Sequence, residues 1–244
     1  MSGHSKWHNI QKTKGAADAK KAKIFTKYAR EMAIAIKEGG GADPNSNSKL
    51  AAVISRAKSE NVPNDNIKRT LDKYKSGAAT ENYEHVTYEG YGPGGVAVLV
   101  DALTDNKNRT VAEVRHYLDK YGKGMGASGC VAWSFDKKGV FVIDNEDGDY
   151  EEDAVMMDSL DAGAADFVAE EDCFEIYTDP DDFNAVAAAL EAKGYKFVSA
   201  QVEMVPQNYQ KLESEEDIKS MEKLLDALED DDDVQNVWHN WDRD

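Results

Sequence analysis

Apolar residues recur at helical spacing through the first third of the chain. From Ala16 to Lys37 no Gly or Pro interrupts the pattern, and a Gly-rich stretch then ends it. Two further stretches, 48–60 and 64–75, repeat the period. The apolar positions are Phe25, Ala29, Met32 and Ile36, then Leu50, Val53, Ile54 and Ala57, then Ile67, Leu71 and Tyr74. Each set shares one face of a helix, which predicts three amphipathic helices packed as a small bundle.

Strand-like patterns begin after residue 82. Residues 83–103 read as two strands around a Gly-Pro-Gly-Gly turn, because a strand and not a helix follows the glycines. Residues 108–122 predict a helix, with Thr110 and Glu113 at capping-box spacing. Residues 130–145 are strand-like again, with a turn expected near Lys138 and Gly139.

The order between residues 138 and 204 is strand, helix, strand, strand, helix, strand, with the second helix starting at Pro180. This is the split ferredoxin-like pattern. The elements on either side of it can form a second sheet domain, with the ferredoxin-like unit inserted between its two halves. Such an insertion is tolerated because the two ends of an inserted domain usually lie close together. We therefore expect an α+β protein with three domains. They are a basic helical domain over 1–78, a discontinuous α+β domain over 79–137 and 205–244, and an inserted ferredoxin-like βαββαβ domain over 138–204.

Composition restricts the class of protein. The 244 residues are 41% hydrophobic, which is enough for several cores, yet they contain no apolar run of the length that spans a bilayer. The first residues lack the apolar core of a secretory signal, so we expect a cytoplasmic protein. The cysteines, Cys130 and Cys173, are far apart, which argues against a zinc site or a disulfide framework.

Charge is divided unevenly along the chain. Residues 1–76 hold 16 Lys or Arg against 7 Asp or Glu, a net charge of +9, while the remainder carries −27 of the total −18. Such asymmetry is expected when one part of a protein meets a polyanion and the rest must not. It predicts a polyanionic partner such as nucleic acid.

The cations of the N-terminal segment are the candidate contacts. Acidic residues that would pair with them at i,i+4 are nearly missing before Glu31, and Trp7 and His8 are stacking-capable side chains among the lysines. The alternatives are a plain solvated helix face and, for Trp7, a core anchor of the bundle. The predicted backbone contacts are Lys6, Lys12, Lys14, Lys20, Lys21, Lys23, Lys27, Arg30 and Lys49.

Other motifs give no chemistry. Residues 121–129 are Gly-rich but do not match a phosphate-binding loop, so we expect a flexible loop in which Lys123 is a weaker candidate phosphate contact. The acidic run Asp230–Asp233 is expected to be a solvated loop. The five histidines fall in no catalytic motif. We expect no catalytic residue, no cofactor, no metal and no small-molecule substrate.

Several stretches together resemble one family. They are "GHSKWHNIQKTKGAADAKKAKIFTK", "NVPNDNI", "YEGYGPGGVAVLVDALTDNKNRTVAEVRH", "GASGCVAWSF" and "VQNVWHN". In this order they closely resemble the YebC family, which includes the mitochondrial translational activator of cytochrome oxidase subunit I. The resemblance runs over nearly the whole chain and implies a helical N-terminal domain followed by two α+β domains. This sequence departs from the family at His8 and at "SNSKL". Lys49 keeps a positive charge there but lacks the two-pronged hydrogen bonding of an arginine guanidinium.

The resemblance implies two possible functions. Bacterial members are named DNA-binding transcriptional regulators, whereas the mitochondrial relatives and some bacterial ones act in translation at the ribosome, relieving stalls. We expect a non-enzymatic regulator that acts in translation and binds the backbone of ribosomal RNA or DNA, with ribosomal proteins as further candidate partners. A transcriptional regulator is the alternative, and an enzyme of unknown chemistry is a minor one. Oligomeric state and sequence specificity stay open.

Overall fold

Three helices form the N-terminal part of the molecule, as the apolar spacing predicts. The computed structural model describes residues 17–243, with side chains from residue 23 onward. The helices are α1 (Ala17–Gly39), α2 (Ser48–Ser59) and α3 (Asn64–Lys75). Their apolar faces meet around Met32, Leu50 and Ile67, which are buried. This shared core holds α2 and α3, because isolated helices of 12 residues are marginal in water.

Strands and helices alternate through the rest of the chain. In the described residues no helix is both long and apolar enough to cross a membrane. The remaining elements are β1 (Glu84–Tyr91), β2 (Ala97–Thr104), α4 (Lys107–Tyr121), β3 (Gly124–Met125), β4 (Phe135–Asp144), α5 (Glu152–Ala162), β5 (Asp166–Ala169), β6 (Cys173–Thr178), α6 (Phe183–Ala192), β7 (Ser199–Pro206), β8 (Gln210–Lys211), α7 (Glu215–Asp230), β9 (Val234–His239) and β10 (Trp241–Asp242).

The first sheet has the order β3–β1–β2–β9, with antiparallel neighbours throughout. The predicted turn joins β1 to β2, and the Gly92 amide closes it by donating to the Val96 carbonyl at 2.7 Å. Helices α4 and α7 pack together in the core of this sheet, where Leu118 and Leu224 are fully buried. The N-terminal end of α4 and the residues that follow α7 are thereby brought to one region of the molecule.

The second sheet has the order β5–β6–β4–β7 and is also antiparallel. With two helices between its strands, this is the ferredoxin-like arrangement, and the α+β fold class is confirmed. Its core includes Phe141, which stacks on Phe183 with ring centroids 4.7 Å apart. The packing of α5 and α6 on this sheet is separate from the core of the first sheet.

The two sheets are linked as an insertion requires. Phe135 at the start of β4 pairs with Pro206 at the end of β7, so the chain enters and leaves the second sheet side by side. Strand β9, which follows that sheet in sequence, pairs with β2 of the first. The domain boundaries given above stay predictions.

The start of α4 differs from the prediction. The helix begins at Lys107, and the Asn106 side chain caps it by accepting from the Arg109 amide at 3.2 Å. Thr110 and Glu113 therefore do not form a capping box. Thr110 is fully buried, and its hydroxyl contacts a carboxylate from the far end of the chain.

The predicted turn at Lys138 and Gly139 is wrong. Strand β4 runs through both residues, and Gly139 lies between Thr178 of β6 and Val202 of β7. The glycine is needed for packing, because a Cβ there would lie 2.6 Å from Thr178 Cγ2 and 2.8 Å from the Phe183 ring. A missing side chain inside a sheet looks in sequence like a turn signal.

Helix α6 also starts later than expected. It begins at Phe183, with Asp182 at its N-cap position, and Pro180 lies in the preceding turn. The loop at 121–129 differs as well: Gly124 and Met125 form the edge strand β3 against β1, and the Gly126 amide donates to the Glu89 carbonyl at 2.8 Å. The loop is anchored where we expected a flexible one.

Replacing Gly139 by alanine should destabilise the protein. The added methyl group meets Thr178 and Phe183 at less than contact distance, and such overpacking costs about 1 to 3 kcal/mol. Urea unfolding at neutral pH measures the loss. Lys137→Ala, an exposed neighbour on the same strand, should change the free energy of unfolding by less than about 0.5 kcal/mol. Equal stability of Gly139→Ala and wild type would contradict the packing of this strand.

Candidate nucleic-acid interface

Helix α1 carries its cations toward the first sheet. Lys27 Nζ donates to the Gln235 carbonyl at 3.0 Å, and the Arg30 guanidinium donates to the Leu103 carbonyl at 3.1 Å. Arg30 also lies over the Tyr83 ring and contacts the Asp232 carbonyl. Lys27 and Arg30 therefore join the helical domain to the body of the protein and do not form an outer solvated face. Their predicted phosphate contact stays untested.

The Asp233 carboxylate is the centre of this junction. Its side chain is 3% exposed, and Arg30 Nη1 donates to Oδ1 at 2.7 Å. Arg109 Nη2 lies 2.7 Å from Oδ2 and 3.0 Å from Oδ1. The hydroxyls of Thr110 and Thr104 donate to Oδ2 at 2.7 and 3.1 Å. One carboxylate thus joins α1, β2 and α4.

Solvation and charge act in opposite directions on Asp233. Burial favours the neutral acid, but the hydrogen bonds of Arg109 and Thr110 and the charge of Arg30 outweigh it, so the pKa lies below its ordinary value. Lys27 shows the reverse balance, because burial lowers its pKa more than nearby Glu229 raises it. With its pKa lowered, the Asp233 carboxylate is an anion in this junction at neutral pH.

The acidic run at 230–233 is only partly the solvated loop that the sequence suggests. Asp230 and Asp232 are exposed, whereas Asp233 is buried and paired. Glu113, Asp231 and Asp233 offer oxygen atoms within 4.8 Å of one another. Two guanidinium groups already supply positive charge to Asp233, so the cluster carries no argument for a metal ion.

Two of the predicted contacts are paired but solvent-accessible. Lys23 pairs with Asp230, whose side chain is 76% exposed, and Lys49 pairs with Glu38 at 2.6 Å. Exposed ion pairs contribute about 0 to 1 kcal/mol each. A phosphate group can therefore replace either carboxylate at small cost.

The other predicted residues are only partly described. Lys20 and Lys21 lie in α1, but their side chains are outside the described residues. Lys6, Lys12 and Lys14, with the stacking candidates Trp7 and His8, lie outside the described residues altogether.

Sequence reasoning missed one set of cations. They are exposed, and no ion pair joins them to another residue in the described part of the chain; they are Lys58, Lys68, Arg69 and Lys75. Three of them lie on α3, where Asp65 and Asp72 alternate with them. Because positive and negative side chains alternate on this helix, the sequence pattern is that of an ordinary solvated surface.

Two family models match most of the chain. Residues 5–77 match the family description "TACO1/YebC protein N-terminal domain", and residues 83–241 match "TACO1/YebC second and third domain". The junction described above therefore lies between two regions that match separately.

Relatives match over the full length. The chain is 55% identical to a "Probable transcriptional regulatory protein" of Ruminiclostridium cellulolyticum, over 100% of this chain and 98% of the relative. It is 52% identical to a protein of the same name from Lactiplantibacillus plantarum, over 98% and 97%. A crystal structure of a conserved hypothetical protein from Aquifex aeolicus is similar with a TM-score of 0.80 and 39% identity, over 92% of this chain and 91% of that one.

Replacing Asp233 by asparagine should weaken the junction strongly. The change leaves Arg30 and Arg109 without their shared anion, and breaking a buried pair on one side costs about 3 to 5 kcal/mol. The effect should depend on pH. A depressed folded-state pKa gives stability that is complete above the unfolded-state pKa of about 3.9 and is lost as pH falls through the folded value.

Urea unfolding of Asp233→Asn and wild type at pH 7 and pH 3 measures this effect. The gap between the two proteins should be largest at pH 7 and smaller at pH 3. Asp232→Asn is the matched control, because that side chain is exposed and Arg30 uses only the backbone carbonyl of Asp232. A gap that stays constant with pH would mean that ionised Asp233 does not hold the junction.

Proposed function

Because the chain belongs to the TACO1/YebC family, we propose that it is a non-enzymatic regulator of gene expression that binds nucleic-acid backbone and acts in translation at the ribosome. The observation that carries the proposal is the division of charge. A helical part with net +9 is held against a body with net −27, and the Asp233 junction fixes how the two face each other. A polyanion then meets the protein from the helical side only.

The cations of the helical part have two roles in this proposal. Lys27 and Arg30 orient the domain through their contacts with the body. The backbone contacts are the remaining predicted residues, with Trp7 and His8 as stacking partners; they are Lys6, Lys12, Lys14, Lys20, Lys21, Lys23 and Lys49. The exposed cations of α3, which are Lys68, Arg69 and Lys75, add to the positive charge of the helical part.

Contacts of this kind favour a structured RNA. Lysine contacts to phosphate position a protein without reading the base sequence, and RNA is recognised largely by shape and by unpaired bases. The ribosome presents such a surface. Ribosomal proteins are the natural partners for the acidic body.

A DNA-binding transcriptional regulator is the second candidate, and the name of the bacterial relatives, probable transcriptional regulatory protein, favours it. Such a regulator must bind its own site about a thousandfold or more above random duplex. The two candidates therefore differ in specificity as well as in the nucleic acid bound.

The lysines of α1 should set the salt dependence of binding. Changing Lys20, Lys21 and Lys23 to alanine should flatten the slope of log affinity against log salt by roughly 2.1 to 2.7, since each lost phosphate contact removes about 0.7 to 0.9. Titration of labelled ribosomal RNA fragments at several salt concentrations measures this slope.

A control of equal charge comes from the body. Lys196, Lys219 and Lys223 are exposed residues of the acidic part, and changing all three to alanine should leave the slope unchanged. If both triple variants flatten the slope equally, binding depends on total charge and the helical surface has no special role.

Sedimentation of cell lysates separates translation from transcription. In a sucrose gradient the wild-type protein should migrate with ribosomes. A smaller share of the Lys20, Lys21, Lys23 variant should do so, because three of its phosphate contacts are lost. Nuclease treatment of the DNA should leave the ribosomal fraction unchanged. Retention of the wild type on DNA, with none on ribosomes, would reject the translation role in favour of transcription.

A further inference from the structure

Trp133 is an exposed aromatic side chain held in a fixed position. The residue is 70% exposed. Single exposed apolar residues are common and need no explanation by themselves. Here, however, the indole Nε1 donates to the Cys130 carbonyl at 3.0 Å, and the Tyr91 hydroxyl donates to the same carbonyl at 3.1 Å. Two aromatic side chains are thus tied to one backbone oxygen at the surface.

A buried carboxylate anchors the loop that carries Trp133. Glu89 of β1 is 6% exposed. Its Oε1 accepts from the Gly129 amide, and its Oε2 accepts from the Val131 and Ala132 amides at 2.8 Å each. These amides outweigh the burial that opposes ionisation, so the pKa of Glu89 lies below its ordinary value.

This anchor fixes the indole. Moving the loop would leave the Glu89 carboxylate buried without its partners, which is costly for a charged group. The loop and its 3-10 turn at Ala132–Ser134 therefore hold one conformation. Because the Trp133 side chain is already ordered, a ligand that binds it loses less free energy to side-chain ordering.

The charge around Trp133 is unusual for this part of the chain. Residues 121–138 contain three lysines and a single aspartate, within a body of net −27. Lys123 and Lys137 are exposed, and no ion pair joins either one to another described residue. The Lys123 amide donates to the Tyr91 carbonyl at 2.7 Å, which places the backbone of this lysine beside that of Tyr91.

Trp133 lies far from the helical domain. Arg30 contacts Leu103, which pairs with His85 near one end of the β1–β2 hairpin, whereas Tyr91 pairs with Ala97 at the other end. The six residue steps between these pairs correspond to about 20 Å of antiparallel strand. A ligand at Trp133 is therefore separate from the phosphate contacts proposed for α1.

We propose that Trp133, with Tyr91 and Lys123, is a second nucleic-acid contact, at which an unpaired base stacks on the indole and the adjoining phosphate meets Lys123. The proposal rests on the proposed function in one respect: the partner is nucleic acid. Base stacking needs an open π-face and tolerates any base, so the contact selects single strands without reading their sequence. The fixed indole and the exposed Lys123 and Lys137 favour this occupant over an apolar protein surface.

The test compares Trp133→Ala and Trp133→Phe with wild type, using a short labelled oligoadenylate and a duplex of the same length. Loss of the ring should weaken single-strand binding by about 5- to 150-fold, the range for one stacked base, and phenylalanine should restore most of it. Duplex binding should not change. Met157→Ala is the control, because it removes another exposed apolar side chain, 63% exposed, on the ferredoxin-like domain.

Failure of this contact can be told from failure of the proposed function. Trp133→Ala should keep the wild-type slope of log affinity against log salt, because it removes no phosphate contact. Wild-type affinity of Trp133→Ala for the single strand, or equal losses for single strand and duplex, would overturn the contact. The contact would also be overturned if Trp133→Ala weakened binding to purified ribosomal proteins and to no nucleic acid. An unchanged slope for the α1 lysine variant, with the Trp133 effect intact, would instead reject the helical domain's role.

Glu89 is a positioning residue in this scheme. Glu89→Gln removes the charge that holds the loop amides, so single-strand affinity should fall while Trp133 is present. Combined with Trp133→Ala it should add little, because both changes act on the same contact. Full additivity of the two losses would show that Glu89 does not act through Trp133.

Discussion

The Asp233 carboxylate fixes the relation between the helical domain and the rest of the molecule. It accepts from Arg30 of α1, from Arg109 and Thr110 of α4 and from Thr104 of β2. An ionised carboxylate is stable at 2% residue exposure only with such partners. Helix α1 belongs to one core, whereas β2 and α4 share another, so the carboxylate joins two separate packing units in one defined arrangement.

This arrangement explains how a strongly acidic protein can present a basic surface. Some of the cations of α1 are used inside the molecule, where Lys27 and Arg30 meet backbone carbonyls and Asp233. Others pair only loosely with exposed carboxylates, as Lys23 does with Asp230. The acidic body thus has two effects: it holds the helical domain through a few buried contacts, and it repels polyanions from its remaining surface.

A second buried carboxylate, Glu89, has a comparable role at the other end of the first sheet. It orders a Gly-rich loop through three backbone amides and so fixes Trp133. The two carboxylates lie near opposite ends of the β1–β2 hairpin, where one orients a domain and the other orients a loop. A nucleic acid that met both ends would be held in a single direction along the protein, with electrostatic attraction at one end and stacking at the other.

The sequence by itself determined the helices, the ferredoxin-like order and the division of charge, because spacing and composition are local properties that it states directly. It misread Gly139 as a turn and Thr110 as a cap, since the residues that explain them, Thr178 with Phe183 and Asp233, are distant in the chain. It also placed Lys27 and Arg30 in one set of backbone contacts with the other cations of α1. Only the tertiary structure separated Lys27 and Arg30 from the exposed lysines, because the environment of a charge depends on which elements pack against it.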